Sequence, residues 1–342
     1  MSQPHPPSSA PVRLALIGLG NMGMAHLAIF KSLEPQARIS ALADSHVPFA
    51  ERAAAHLPGV RVFHDPFDCV NNADVDAVVV ATADDTHHEI VAACIARGLF
   101  VLCEKPLTAS ADQSLQLVKA ERASGRRLVQ VGYMRRFDTD YQNVYFAMQS
   151  GRVGEPVLIS QRHRNPLAVI SFDERELIAS SASHDIDVFR WLAGDDIKEV
   201  SAIAKTSQDG SAVTVVLTLT SRSGVLGVVE VGRGPAMQYD ISCDVVGNRG
   251  ALTLASPADH SAAGRVAAQP KPDAWMERFH GAYRAQDAAW LQAVAARSST
   301  GASAYDGYAA NVVIDGALAA LAGGRPQSVR QETESTVGVM PC

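Results

Sequence analysis

VRLALIGLGNMG, residues 12–23, is the stretch from which the fold can be read. Val12–Ile17 is an apolar run dense enough for a strand buried on both faces. Gly18-Leu19-Gly20-Asn21-Met22-Gly23 follows as G-x-G-x-x-G and opens a helical stretch to about Leu33. In such a loop the first glycine permits a tight turn, the second lets backbone approach a pyrophosphate, and the third lets helix and strand pack closely. The free N–H groups of the helix start then meet the phosphates. Glycines at these offsets also recur by chance as plain turns. Their place here, straight after a buried strand and opening a helix, is the context a dinucleotide requires.

Outward from this stretch, strands and helices alternate. RISALAD (38–44), the weaker VRVFHD (60–65), DAVVVAT (76–82), FVLCEKP (100–106) and RLVQVGY (127–133) read as strands. Helices are expected at 47–56, 87–98 and 110–125. This rhythm predicts an α/β domain with a doubly wound parallel sheet. After Tyr133 the rhythm breaks. A helix (about 138–150), the strand VLISQRH and the helix ASHDIDVFRWLAG (182–194) lead into four long alternating runs at 200–206, 212–221, 224–232 and 240–247. SRSG between the second and third runs is a hairpin turn. Consecutive strands without helices predict an α+β domain with an open, mainly antiparallel sheet. Segment 256–273 reads as a loop, and 275–296 and 309–324 as closing helices. The domains are thus expected at 12–133 and 134–330, between a Pro-rich disordered tail (1–11) and a C-terminal tail (331–342).

Composition bounds the function. The 342 residues are 47% hydrophobic and 19% charged, with net charge −6, which gives two domains ample core and argues against a nucleic-acid footprint. No apolar run approaches a membrane span, and the polar, Pro-rich N-terminus lacks the features of a secretory signal. The five cysteines (69, 94, 103, 243 and 342) fall at no metal-ligand spacing and read as reduced thiols of a cytoplasmic protein without a metal centre.

Asp44 ends the second strand, 21 residues after Gly23, where a carboxylate accepts from the adenosine ribose hydroxyls. It would repel a 2′-phosphate, and Ser45 and His46 offer no arginine to hold one, so the expected cofactor is NAD. Two clusters invite a catalytic reading. Lys105, in Glu104-Lys105-Pro106, lies at the carboxyl end of the fifth strand, the edge where open α/β sheets bind ligands. A lysine there can donate to a substrate oxygen, although the bare tripeptide reads equally well as a surface lysine. In Ser180-x-x-x-His184-Asp185-x-Asp187, Ser180 and His184 share a helix face at i and i+4. A histidine is a natural acid/base for a hydroxyl proton, although a lone histidine at a helix start is more often structural.

GLGNMG, ATADDTH, EKP and the HDID helix, in this order over Val12–Val329, together resemble the glucose–fructose oxidoreductase / inositol dehydrogenase / MocA family. VQVGYMRRF (129–137), HRNP (163–166), HDIDVFRWL (184–192), YDISCDVVG (239–247) and YDGY (305–308) are similar to its myo-inositol 2-dehydrogenase branch. The resemblance implies a Rossmann domain, a second domain whose open sheet makes a dimer or homotetramer, and NAD-dependent oxidation of a ring hydroxyl of a cyclitol or sugar. It implies that Lys105 is the catalytic lysine, on a bond to Pro106 that is cis in many relatives, and that His184 is the general base. Asn165, His163 and Tyr239 would line the polyol pocket, with Met134 and Arg135 near the nicotinamide. Thr82 and His87 fall on the family's T-P-x-x-x-H cofactor loop, and Glu104 faces cofactor in that pattern.

The chain also departs from the pattern. Ser180 replaces the family's Asp four residues before the histidine, and a serine cannot supply the charge that raises imidazole basicity. Gln286 stands where many relatives carry an acid, and Ala83 replaces the proline of the cofactor loop. Inositol is the expected substrate. A pyranose or glycoside dehydrogenase, an NAD-dependent glycosidase and a non-catalytic nucleotide-binding regulator remain alternatives.

Overall fold

The computed structural model describes residues 10–55, 57–166, 173–235, 237, 239–254 and 274–332. The loop expected at 256–273 and most of both expected tails lie outside them. The chain divides into two compact units: 1–134 with 283–308 and 332–342, and 135–282 with 309–331.

The first unit alternates β1 (Val12–Ile17), α1 (Asn21–Ser32), β2 (Ala37–Ala43), α2 (Val47–Ala54), β3 (Arg61–Phe63), α3 (Pro66–Asn72), β4 (Ala77–Val80), α4 (His87–Ala96), β5 (Phe100–Cys103), α5 (Ala111–Ala123) and β6 (Val129–Val131). These six strands are parallel, in the order β6-β5-β4-β1-β2-β3. The order reverses between β1 and β4, which opens the crevice where doubly wound sheets bind ligands. Leu14, Leu16, Val78, Val80, Val101 and Leu102 are buried, as continuous apolar strands in a sheet covered on both faces must be. α3 was not expected from the sequence. Pro66 starts it, and the Asp65 side chain caps it by accepting from the Asp68 N–H.

The second unit contains α6 (Thr139–Gln149), β7 (Pro156–Asn165), the single turn α7 (Glu174–Glu176), α8 (Ala182–Ala193), β8 (Ile197–Thr206), β9 (Val213–Ser221), β10 (Leu226–Arg233), β11 (Asp240–Gly247) and β12 (Ala251–Leu254). Next come α9 (Ala274–Ala295), β13 (Ala302–Ser303), α10 (Ala304–Gly323) and β14 (Gln327–Ser328). The sheet order is β12-β11-β7-β10-β9-β8-β14, antiparallel except for the β7–β10 pair. α8 covers one face so closely that a Cβ on Gly227 would stand 2.7 Å from the Phe189 ring. Strand alternation turns Gln161, His163 and Asn165 to this covered face, and Ser160, Arg162 and Arg164 to the other, which is half-exposed.

The chain first passes from one unit to the other between Met134 and Arg135, against the boundary expected at 133/134. Residues 283–308 were expected in the second domain, yet they belong to the first unit. There β13 pairs antiparallel with β6, and Trp290 of α9 meets Phe30 of α1 edge-on, with ring centroids 5.8 Å apart. Among the described residues no helix is long and apolar enough to cross a membrane.

Candidate functional site

The glycine loop explains itself atom by atom. Gly18 has φ +87°, and a Cβ there would lie 2.4 Å from the Ala81 carbonyl oxygen beyond β4. A Cβ on Gly23 would lie 1.8 Å from the Gly18 carbonyl oxygen. Both glycines are therefore demanded by the protein's own backbone. Gly20 is not: its φ of −69° is ordinary, and a Cβ there would meet nothing within 4 Å. Gly20 is the N-cap of α1 and offers no side chain to the helix start, whose first turn has no acidic residue. Asn21 and Met22 are the first residues of α1. The open space is thus lined by unobstructed helix N–H groups, a seat for phosphate.

Asp44, just past β2, is held rigidly beside this loop. Its Oδ2 accepts from the Leu19 N–H and its Oδ1 from the His46 N–H, both at 2.7 Å. A cleft of about 510 Å³ runs past Gly18, Gly20, Asp44, Phe49, Thr82 and Ala83. Each Asp44 oxygen keeps lone-pair capacity for a ribose hydroxyl, and among the described residues no arginine lines the cleft.

On the far side of β4, His87 is fully buried. Its Nδ1 donates to the Pro106 carbonyl at 2.9 Å, and its Nε2 lies 3.3 Å from the Thr82 carbonyl. It therefore ties the Thr82 loop to the Lys105 turn. The Lys105–Pro106 bond is cis. Glu104, expected to face cofactor, is only 6% exposed, and its carboxylate points inward. One oxygen accepts the Lys105 N–H at 3.2 Å and the other meets His26 Nε2 at 3.1 Å.

The remaining expected residues gather on the second unit, apart from Met134, which is buried at the start of a short 3-10 turn (Met134–Phe137). On the covered face, His163 Nε2 accepts from the Asn165 amide at 3.0 Å. His163 Nδ1 lies 2.7 Å from Asp185 Oδ2 and 3.0 Å from Arg135 Nη2, between the acid and its guanidinium partner. Burial, with the Arg135 charge nearby, holds the His163 pKa below its ordinary value against the pull of Asp185, so the ring is neutral. Asn165 Oδ1 is buried without a partner among the described residues, as is the Tyr239 hydroxyl. These are two acceptors suited to ligand hydroxyls.

His184 is 7% exposed on α8. Ser180 does not lie on a regular α-helix, because Leu177–Ser181 form a π-helical turn before α8. The Ser180 hydroxyl donates to the Glu176 carbonyl at 2.7 Å. Arg135, expected to line the substrate, is 1% exposed, and its Nη1 lies 2.5 Å from Asp185 Oδ1. Its guanidinium sits 5.9 Å from the Tyr141 ring centroid and 5.7 Å from that of Phe279. Arg136 pairs with Asp187 in the same way, at 2.9 and 2.6 Å.

Asp185 was missed as a support residue. The available signal was two arginines in MRRF and two aspartates in HDID, all in apolar surroundings where lone charges are unfavourable. Replacing Arg135 with Met leaves Asp185 buried and uncompensated, so it should cost about 3–5 kcal/mol. That corresponds to a melting temperature roughly 10 °C lower. Removing the acid as well (Asp185→Leu in the Arg135→Met background) should recover part of the loss in thermal unfolding.

A parallel sheet with its loop open above Gly20 and a carboxylate held beside it puts the chain among the NAD-binding oxidoreductases built on a Rossmann fold. Sequence comparison gives the family. Residues 12–133 match "Oxidoreductase family, NAD-binding Rossmann fold" and residues 141–253 match "GFO/IDH/MocA C-terminal domain". The chain belongs to the GFO/IDH/MocA family. Among its relatives, inositol 2-dehydrogenase 1 of Saccharopolyspora erythraea is 39% identical, over 93% of this chain and 96% of its own length. Inositol 2-dehydrogenase of Rhodococcus erythropolis is 36% identical, over 92% and 94%. The myo-inositol dehydrogenase of Lactobacillus casei, solved with NAD(H) and myo-inositol, shares the fold at a TM-score of 0.85 and 24% identity, over 96% and 99% of the two chains.

Proposed function

We propose that the protein oxidises a secondary ring hydroxyl of an inositol to a ketone, with NAD as the acceptor. The observation that carries this reading is full-length similarity to inositol 2-dehydrogenases, across the nucleotide-binding half and the second half alike. The cofactor, when bound, accepts the hydride from the carbinol carbon. Gly18, Gly20 and the start of α1 hold the pyrophosphate, and Asp44 accepts from the ribose hydroxyls.

Loss of hydride requires loss of the hydroxyl proton. Lys105 donates to the reacting oxygen and stabilises the charge it gains, while His184 takes the proton. Asn165 Oδ1 and the Tyr239 hydroxyl accept from other ring hydroxyls, an arrangement supported by their buried, unpartnered state among the described residues. His163, neutral and held by Asp185, orients Asn165. Thr82, His87 and Glu104 support the cofactor edge by fixing the loop and the Lys105 turn. Arg135 acts through Asp185, and Met134 contributes apolar surface. Ser180, neutral and bonded to its own helix, supports a second reading in which the substrate is a pyranose.

The half-exposed face of the second sheet, with Ile203 70%, Leu226 50% and Val246 42% exposed, supports assembly into a dimer or tetramer through that face. Four buried free thiols (Cys69, Cys94, Cys103 and Cys243) fit a reducing, cytoplasmic compartment.

The test is NADH formation against inositol isomers, glucose, other aldoses and simple glycosides, repeated with NADP. Turnover is expected with an inositol, and kcat/KM with NADP should be at least roughly tenfold lower, because Asp44 repels a 2′-phosphate. Turnover confined to pyranoses would establish the second reading. No reduction of bound NAD by any of these compounds would overturn both.

A further inference from the structure

Behind the Lys105 turn lies a buried cluster of which the reaction above uses only Glu104. His26, on α1 and without exposed surface, stands between two carboxylates of the same unit. Its Nδ1 is 2.8 Å from Asp287 Oδ2 on α9, and its Nε2 is 3.1 Å from Glu104 Oε1 beyond β5. The other Glu104 oxygen accepts the Lys105 N–H. The fit around this carboxylate is close: a Cβ on Gly132 would approach it to 3.1 Å. Gln286 donates to the free Asp287 oxygen at 3.4 Å. The residue standing where many relatives carry an acid thus supports an acid one position further on.

A neutral imidazole has one N–H and can donate to only one carboxylate. With both carboxylates ionised, both ring nitrogens donate and His26 is an imidazolium. Burial opposes the charge, yet Asp287 and Glu104 together lift its pKa to about 10. The two acids separate. Against the pressure of burial, His26 and Lys105 pull the Glu104 pKa below its ordinary value. Burial leaves Asp287 above its own. Among the described residues these two acids are the charged groups facing the ring, with Tyr283 edge-on at 6.1 Å and Phe30 at 6.4 Å. The Cys103 thiol, pushed up by burial, donates to the Glu104 carbonyl.

We propose that His26 is a positioning residue for Lys105: through Glu104 it clamps the backbone of the Lys105–Pro106 turn, and Asp287 keeps it charged so that the clamp stays closed. The proposal rests on the reading of Lys105 as the lysine that binds the substrate oxygen. The sign of its pH dependence follows. A histidine whose folded pKa is raised from 6.5 to about 10 contributes fully below pH 6.5 and loses its contribution as pH rises through 10.

Two substitutions separate the arms of the clamp. In His26→Asn the amide reaches only the Nδ1 position and loses Glu104, whereas in His26→Gln it reaches the Nε2 position and keeps it. We expect His26→Asn to lower kcat at least tenfold with the NADH dissociation constant within threefold of wild type, and His26→Gln to restore most of the loss. In Asp287→Asn the ratio of its kcat to that of wild type should fall more than fivefold between pH 7 and pH 9, since the imidazolium loses a counter-charge. If His26→Asn does not fold, the other two variants carry the same readouts. Wild-type kcat in His26→Asn, equal losses in Asn and Gln variants, or a pH profile of Asp287→Asn parallel to wild type would overturn the proposal. Nitrogen-15 spectra of the ring, taken without substrate, should show both nitrogens protonated at pH 8, and a neutral ring would also overturn it. Should wild type oxidise no polyol, the functional reading falls while this spectrum still decides the state of His26.

Discussion

Lys105→Ala should bind NAD as wild type does and lose turnover by about a thousandfold, within the range of 10²–10⁴ seen when a positioned proton-transfer or charge-stabilising group is removed. The effect is large because the surroundings hold the lysine's backbone from several sides. Glu104 accepts its N–H, His87 holds the Pro106 carbonyl, and the Glu104 N–H donates to Val80 at the end of β4. An ammonium placed in advance stabilises the developing alkoxide with little reorganisation. Nothing in the glycine loop or at Asp44 depends on the side chain, so affinity for NADH, followed by its fluorescence, should stay within about threefold of wild type. Wild-type-like turnover in this variant would remove Lys105 from the reaction.

Gly20→Val should leave the fold intact and weaken NAD binding at least roughly a hundredfold, equivalent to about 2.7 kcal/mol. Valine at this backbone conformation meets no protein atom near its Cβ. It would instead fill the space through which the helix N–H groups reach a pyrophosphate. The expected melting temperature without cofactor is within about 2 °C of wild type, because surface changes of this kind stay near ±0.5 kcal/mol. Gly18→Val is the contrasting case. Its left-handed φ and the Ala81 carbonyl in its way should lower stability itself. Unchanged NAD affinity in Gly20→Val would show that the phosphate seat lies elsewhere.

Much of the molecule was legible because its signals are local. An apolar strand, a glycine loop and a carboxylate one β-α-β unit later announce themselves by spacing alone, and β1, α1, β2 and Asp44 stand where that spacing put them. The hairpin at SRSG and the long alternating strands β8 to β11 follow from a period of two and a turn. α3 is seven residues long, with Pro and Asp at its start and little periodicity, so nothing distinguished it from a loop. The π-helical turn at Leu177–Ser181 shifted Ser180 off the face that regular helical spacing assigns it.

The substrate side was legible through the family resemblance, but not in its contacts. The family resemblance pointed to Arg135, His163 and Asn165, yet only the fold shows that Arg135 is sealed under Asp185 while Asn165 Oδ1 has no partner among the described residues. The cause is the strand period: β7 turns His163 and Asn165 to the face covered by α8, where Asp185 waits.

Val12–Gly23, Asp44 and the strand periodicities were thus determined by the sequence itself, because short-range backbone geometry admits few alternatives for glycine turns and buried strands. Tertiary structure alone decided that residues 283–308 return to the first unit, and that Asp287 meets His26 across 261 positions of the chain. No spacing rule reaches that far. A buried imidazolium becomes favourable only when the fold delivers two carboxylates to it at once, and that delivery depends on where α9 packs.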